Sequence, residues 1–335
     1  MPLSRDINGA MSPKVAAIIP AYRCRSQISA VIDAALAMPG SIQAIYVVDD
    51  ACPDGTGPFV QERYGSRVTV ILNEKNLGVG GAVIAGYARA AAEGATVLVK
   101  LDGDGQMNPA LIDRFTSPLL RGLADYTKGN RFHTPRALAD MPFLRLFGNS
   151  ILSFVAKAVT GYWNVMDPNN GYTALHIEAY RLLDTEHLDR RYFFETDMLF
   201  RLNTIRAVVV DVPMKPCYGG ETSSLNVGRV LFEFPPKYMN RMVKRLLYSY
   251  FVRDFSVASV EIICGALFLC FGTAFGAHHW RQSMATGVPA TSGTVMVAAM
   301  PIILGFQLLI AALSADVNNV PRIPLQMLLA GKREG

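Results

Sequence analysis

The sequence predicts an α/β fold with a mostly parallel sheet, followed by amphipathic helices and an apolar two-helix hairpin. Three observations carry this. Continuous apolar runs of strand length alternate with helical patterns from residue 15 to about 130. Carboxylates cluster where two of those runs end, at Asp49-Asp50 and at Asp102-x-Asp104. Two apolar runs of twenty residues, Val257–Gly276 and Thr294–Leu313, follow toward the C-terminal end.

The elements come in order. "VAAIIP" is a strand, "SQISAVIDAALAMPG" an amphipathic helix stopped by Pro-Gly, "IQAIYVVDD" and "RVTVIL" the next strands. A helix over 79–93, the strand "TVLVKLD" and a helix over 109–122 complete this part. Uninterrupted apolar strands are buried on both faces, and helical crossovers imply parallel neighbours. Ligands of such open sheets bind beyond the strands' C-terminal ends, where both carboxylate clusters fall. From 141 to about 222 the pattern is mixed: a helix over 143–160, the loop "DPNNGY", a short strand, a helix near "FFETDMLFRL" and the strand "AVVVDVP". The sheet domain is bounded at 15–225, after a tail over 1–14.

Residues 226–255 differ. Pro235-Pro236 interrupts two short helical stretches, and proline is well suited to open the second. There Lys237, Arg241 and Lys244/Arg245 share one face, and Met239, Met242, Val243, Leu246 and Tyr250 another. Such a helix lies in a membrane interface or packs on its own domain; the apolar runs that follow favour the interface. The hairpin occupies 256–314. Its first run holds one charged residue, Glu261, near its start, and its second holds none. Twenty apolar residues suffice to cross a bilayer, and two in tandem argue against a buried core hairpin. Arg241, Lys244, Arg245 and Arg253 precede it, Arg322, Lys332 and Arg333 follow it, and the linker holds one Arg beside Trp280. The positive-inside rule then keeps both termini, and a tail over 315–335, in the cytosol, as in a bacterial inner membrane.

Composition agrees. Apolar residues make up 51% of the 335 and charged residues 18%, rich for a purely soluble chain. The formal charge is +5, and Arg229–Arg253 alone, with six Lys/Arg and one Glu, contributes 6 − 1 = +5. A basic patch just ahead of an apolar run suits anionic lipid; no nucleic-acid motif accompanies it, so nucleic acid is not the expected partner. Cys24, Cys52, Cys217, Cys264 and Cys270 form no C-x-x-C pair, which argues against zinc and a disulfide framework. "MPLSRDINGAMSPK" has no apolar signal-peptide core.

"LDGDGQMNP" is a tight turn, a calcium loop or a catalytic metal site. Counted from Asp102, an EF-hand loop needs Gly where Met107 stands and Glu where Asp113 stands, and it follows a helix, not a strand. Two carboxylates this close repel unless a cation lies between them. Asp102, Asp104 and Gln106 are oxygen donors suited to Mg²⁺ or Mn²⁺ with positions left for substrate phosphates.

Four motifs now stand in order: Pro20-Ala21-Tyr22; Val48-Asp49-Asp50 with Asp54-Gly55-Thr56; Asn76, Gly78, Gly80, Ala82 and Gly86; and Asp102-x-Asp104-x-Gln106. Over most of 15–220 the chain resembles a family 2 glycosyltransferase with the GT-A fold, of the dolichyl- or polyprenyl-phosphate sugar synthase type. The resemblance implies that Pro20, Tyr22, Asp49, Asp50, Gly78 and Asp102 line a nucleotide site, and that Asp102, Asp104 and Gln106 hold Mg²⁺ or Mn²⁺ on the donor diphosphate. It implies that Arg131 faces a donor or acceptor phosphate, and that Asn170 and Gly171 line the sugar pocket, although Asn-Asn-Gly is also an ordinary turn. "ETDM" at 195–198 offers Glu195 and Asp197 as catalytic carboxylates under the acceptor, where Asp197 need only orient groups or balance charge if the acceptor is a lipid phosphate; both also suit a helix N-terminus. Two departures stand out. Arg23-Cys24 follows Pro-x-Tyr where the family often has Asn-Glu, and Ala51-Cys52 follows Asp-Asp where it often has Gly-Ser. They leave UDP against GDP open.

The Gln-x-x-Arg-Trp stretch of processive synthases is absent from "MLFRLNTIRAVVVDVP", which favours a single transfer. The expected activity is inverting transfer of one sugar from a UDP- or GDP-sugar to polyprenyl phosphate in the membrane. Lys237, Arg241, Lys244 and Arg245 are the candidate contacts to the acceptor phosphate, and neutralising two of them is expected to weaken acceptor use far more than donor binding. The alternatives are transfer to a lipid alcohol, with Asp197 as base, and a non-catalytic nucleotide-sugar-binding subunit. The oligomeric state stays open, a homo-oligomer included.

Overall fold

The structure is a computed structural model that describes residues 13–133, 143–215 and 227–330. The expected tail over 1–14, except its last two residues, lies outside them, as do Lys332 and Arg333. The chain divides into two compact units, one running to Met242 and resuming at Pro321, the other Val243–Val320.

The first unit is built on a seven-stranded sheet. The strands are β1 (Val15–Ala21), β2 (Ala44–Asp49), β3 (Thr69–Leu72), β4 (Val97–Lys100), β5 (Tyr126–Asn130), β6 (Thr173–His176) and β7 (Val209–Pro213), in the order β3-β2-β1-β4-β6-β5-β7. Six strands run parallel to a sheet neighbour, β1 to β4 among them as their apolar runs predict; β6 is antiparallel to both β4 and β5. Helices α1 (Ile28–Leu36), α2 (Thr56–Tyr64), α3 (Val79–Ala92), α4 (Ile112–Leu120), α5 (Phe143–Thr160), α6 (Ile177–Leu182) and α7 (Phe194–Thr204) accompany the sheet. Val15, Ile19, Val47, Val97, Val99, Phe115 and Ala174 belong to its core. Register builds the ligand edge. Ala21 pairs with Asp49 across β1 and β2, and Ile18 with Lys100 across β1 and β4. The residues just beyond, Tyr22, Asp50 and Asp102, therefore leave the sheet on one edge.

Strand β5 has no apolar run, so hydropathy does not reveal it. "YTKGN" is buried throughout all the same, because β6 and β7 flank it and Lys128 donates to the carbonyl of Asn170 at 2.5 Å.

Two expectations need correction. Helix α8 (Val227–Leu247) runs through Pro235 and Pro236 as one element, not two. Packing prevails over propensity: the rings of Phe234 and Tyr238 meet that of Phe193 edge-on at 5.4 and 5.2 Å. The tail expected over 315–335 is in part structured, because its Leu325–Ala330 segment returns to the sheet domain. Leu325 and Gln326, at the start of α11 (Leu325–Ala330), donate backbone N–H groups to Asp125, and Gln326 Nε2 donates to the carbonyls of Leu119 and Ala124.

The expected apolar face of α8 also divides. Met242 packs with Val159, Phe193 and Tyr238, whereas Met239, Val243 and Leu247 are exposed in one stripe with Phe232.

The second unit is a π-helical turn (Tyr248–Arg253) and the helices α9 (Val257–Thr286) and α10 (Ser292–Asn318). Both helices exceed the twenty-residue runs and are long and apolar enough to cross a membrane. Only 22% and 11% of their most apolar windows are buried within the structure, unlike core helices of a soluble domain. They pack closely: a Cβ on Gly272 would lie 2.7 Å from the carbonyl of Ala298.

Candidate active site

A cavity of about 460 Å³ opens on the ligand edge of the sheet. Pro20, Tyr22, Asp50, Gly78, Asp102 and Asp104 line it, so residues scattered over eighty positions converge. Asn76, Arg191 and Tyr192 line it as well.

The two carboxylates ending β2 divide the work. Asp50 accepts from Asn73 Nδ2 (2.8 Å), Leu77 N (2.8 Å) and Gly78 N (2.7 Å), fixing the Asn-x-Gly turn against the cavity. Gly78 sits at φ +83°, and a Cβ there would lie 2.6 Å from the carbonyl of Arg190. Asp49, expected at the nucleotide, instead accepts from Cys52 N (2.7 Å) and Gly57 N (2.6 Å). Both of its oxygens serve the loop into α2, and it does not line the cavity.

The departures at Arg23-Cys24 and Ala51-Cys52 meet each other. Arg23 and Ala51 both have positive φ, 55° and 53°, and Arg23 N donates to Cys52 Sγ at 2.8 Å. Ala51 thus holds the left-handed backbone for which glycine is the usual choice. Cys24 lines the cavity, and burial pushes its thiol up to about 12, so it is a thiol and not a thiolate nucleophile.

Beneath the Asp-x-Asp motif lies a cation that hydropathy hides. Lys100 is 1% exposed; its Nζ is 2.8 Å from Asp102 Oδ1, 3.3 Å from Glu195 Oε1 and 3.2 Å from the carbonyl of Gly171. Burial opposes its charge, but Asp102 and Glu195 outweigh burial and raise its pKa. Lys100 therefore ties the motif to the first turn of α7 and to the 167–172 loop. Gly171 permits the close approach: a Cβ would lie 2.7 Å from Asp102 Oδ2. Asn170, expected at the sugar pocket, has its side chain engaged in the turn. It is buried and closes the turn, accepting from Tyr172 N at 2.9 Å and donating to Asp167 at 3.3 Å. Arg131, expected on a phosphate, forms a two-pronged pair with Asp167 at 2.7 and 3.1 Å.

Asp104 Oδ1 accepts from Gln106 N at 3.0 Å, while Gln106 is not among the lining residues. Among the described residues no three His, Cys, Asp or Glu side chains form a metal cluster. Two carboxylates alone suit a hard divalent ion whose other positions belong to water and diphosphate.

Asp197 is fully buried. It accepts from Asp189 N (2.8 Å), Arg201 Nε (3.2 Å) and Arg241 Nε (2.5 Å), the last from α8. Lys237, one turn earlier, pairs with Asp189 at 2.5 Å. Arg245, expected at the acceptor phosphate, is paired as well. It is buried, and both its Nη atoms hold Asp316 of α10, at 2.7 and 2.9 Å. Lys244 is exposed.

A family model described as glycosyl transferase family 2 matches residues 16–183, half of the chain, and the chain belongs to that family. It is 29% identical over 241 residues to a UDP-N-acetylglucosamine–dolichyl-phosphate N-acetylglucosaminyltransferase of Methanococcus voltae, covering 68% of this chain and 94% of the relative. It is 31% identical over 173 residues to an undecaprenyl-phosphate mannosyltransferase of Micrococcus luteus, covering 51% and 70%. A glucosyl-3-phosphoglycerate synthase of Mycobacterium tuberculosis, solved with Mg²⁺ and UDP, superposes with a TM-score of 0.50 at 16% identity, over 70% of this chain and 79% of that one. At that identity it shows the GT-A-like fold alone.

Proposed function

We propose that this protein transfers a single sugar, with inversion, from a nucleotide-sugar to a polyprenyl phosphate at a membrane surface. The observation that carries the reading is the state of Asp197. A general base must be free to take a proton, and this carboxylate is sealed from solvent between two guanidinium groups. An acceptor that arrives as an anion needs no base; a phosphate monoester has a second pKa of about 6 and is largely dianionic at neutral pH. Relatives named for dolichyl and undecaprenyl phosphate agree with that acceptor.

In this reading the acceptor phosphate oxygen attacks the anomeric carbon while the nucleoside diphosphate leaves from the opposite face. Asp50 orders the Asn-x-Gly turn beside the nucleotide, and Tyr22 and Pro20 form a wall of its pocket. Asp102 and Asp104 would hold Mg²⁺ or Mn²⁺, which offsets charge on the departing diphosphate. Lys100 keeps Asp102 in place from below. Lys237, Arg241 and Lys244 remain the candidates to meet the acceptor phosphate. The two ends of the α9–α10 hairpin chain into the first unit at Met242 and Pro321. That connectivity, with the basic flanks, supports a hairpin that crosses the membrane twice and leaves both ends on the catalytic side.

The test is a panel of UDP- and GDP-sugars offered to the full-length protein in membranes with Mg²⁺ or Mn²⁺, with polyprenyl phosphate and the matching polyprenol as rival acceptors. The expected product is the polyprenyl-phosphate sugar, lost in Asp104→Ala at every metal concentration. Equal transfer to the alcohol overturns the phosphate reading, and near-normal Asp104→Ala activity removes the metal assignment.

A further inference from the structure

The loop that enters α7 supplies a wall of the donor cavity, through Arg191 and Tyr192. The cavity's acidic walls are the carboxylates Asp50, Asp102 and Asp104, and Arg191 is the one Lys or Arg among its described lining residues. A diphosphate entering here meets three negative groups. A divalent ion between Asp102 and Asp104 answers part of that charge. A guanidinium answers the rest with directed hydrogen bonds to phosphate oxygens.

The loop is held in place from two sides. On the cavity side it lies against the start of α3: the carbonyl of Arg190 accepts from Gly81 N at 3.1 Å, and a Cβ on Gly78 would lie 3.0 Å from Arg191 Cγ. On the other side Asp189 anchors it. Asp189 Oδ1 accepts from Arg191 N at 2.9 Å, Asp189 Oδ2 from Lys237 Nζ at 2.5 Å, and Asp189 N donates to Asp197 at 2.8 Å. The backbone that presents Arg191 is thus bonded to a carboxylate that a cation of α8 clamps.

We propose that Arg191 binds the donor diphosphate, and that Asp189, clamped by Lys237, is the positioning residue that presents it. This rests on reading the cavity as a nucleotide-sugar site. It changes the role of Lys237. The sequence predicts that the cations of α8 act on the acceptor far more than on the donor, whereas the Lys237–Asp189 pair ties α8 to the grip on the donor. An acceptor phosphate that drew Lys237 toward itself would loosen the Arg191 loop as the diphosphate is ready to leave.

The experiment is calorimetric titration of the full-length protein in detergent, with Mg²⁺, using UDP, GDP, UMP and GMP. The wild type binds one diphosphate well and the corresponding monophosphate less well. Arg191→Ala weakens diphosphate binding by about 10- to 100-fold, as expected for loss of charge-assisted hydrogen bonds, and leaves monophosphate binding unchanged. Arg191→Lys recovers part of the preference, since it keeps the charge without the fork. Lys237→Met and Asp189→Ala shift the same diphosphate preference, by less, although neither residue lines the cavity. If the wild type binds no nucleotide, the nucleotide-site reading fails and takes this proposal with it. If the wild type binds and Arg191→Ala keeps the full diphosphate preference, the Arg191 assignment is overturned while that reading stands. If only Arg191→Ala loses the preference, the positioning role of Asp189 and Lys237 is overturned.

Discussion

Arg241 of α8 donates to the buried carboxylate of Asp197 at the start of α7, forty-four residues earlier in the chain. With Arg201 on the other oxygen, the carboxylate is a structural anion. Its removal takes the carboxylate partner from Arg241 and one of two from the buried Arg201, which keeps Asp184 and the carbonyl of His187. Asp197→Ala should therefore cost about 3–5 kcal/mol, the usual penalty for breaking a buried ion pair from one side. Thermal unfolding in detergent measures this. Asp197→Asn should lower transfer yet keep the acidic limb of the pH–rate profile. Disappearance of that limb would make Asp197 the base after all.

Lys128 supplies a pH test of the sheet's interior. Burial first of all pushes its pKa from 10.5 down to about 8, with Glu195 and Asp167 opposing and Lys100 adding to the fall. Between those values the unfolded chain holds a proton that the folded chain has released, so stability rises with pH across the window. The penalty is fully present below about pH 8. The gain over the window is up to about 3 kcal/mol at roughly 1.4 kcal/mol per pH unit. The stability difference between wild type and Lys128→Met, followed from pH 8 to 10, should move by most of that amount. A flat difference would mean that Lys128 keeps its proton.

Ala51 has φ +53°. An L-residue pays about 1–2 kcal/mol for the left-handed region, which glycine enters freely, and glycine's extra freedom when unfolded takes back part of that. Ala51→Gly should raise stability by about 0.5–1 kcal/mol and leave donor affinity intact. An unchanged unfolding midpoint would show that the turn relaxes around alanine.

Gln326 tests the returning C-terminal segment. Its Nε2 donates to Leu119 O at 2.9 Å and to Ala124 O at 2.8 Å, beside the buried carboxylate of Asp125. Gln326→Ala takes this donor from the Ala124 carbonyl, while that of Leu119 keeps Gly122 N, at about 1–3 kcal/mol. Faster limited proteolysis after Ala124 is the expected readout, and wild-type resistance would separate the segment from the stability of the domain.

Much of this protein is legible in its sequence where the signal is local. The apolar runs of β1, β2 and β4 announce buried strands, and the signature residues at their ends announce the ligand edge. Strand β5 escapes detection because its burial depends on β6 and β7, not on its own hydropathy. Lys100 escapes because a lysine ending an apolar strand looks like the point where the chain meets water. Instead its charge is satisfied by Asp102, two residues on, and by Glu195, ninety-five residues away.

By itself the sequence determined the strand and helix periodicities, the Asp-x-Asp motif at a strand end and two spans of membrane length, because each is written within one segment. Only the tertiary structure decided which of two adjacent aspartates faces the cavity, which cations of α8 are already paired, and where Leu325 and Gln326 dock. Those outcomes depend on partners 44, 48, 71 and 200 residues apart, at Arg241–Asp197, Lys237–Asp189, Arg245–Asp316 and Leu325–Asp125. A charge finds such a partner only after hydrophobic burial has brought distant segments together, and no local pattern records which one it meets.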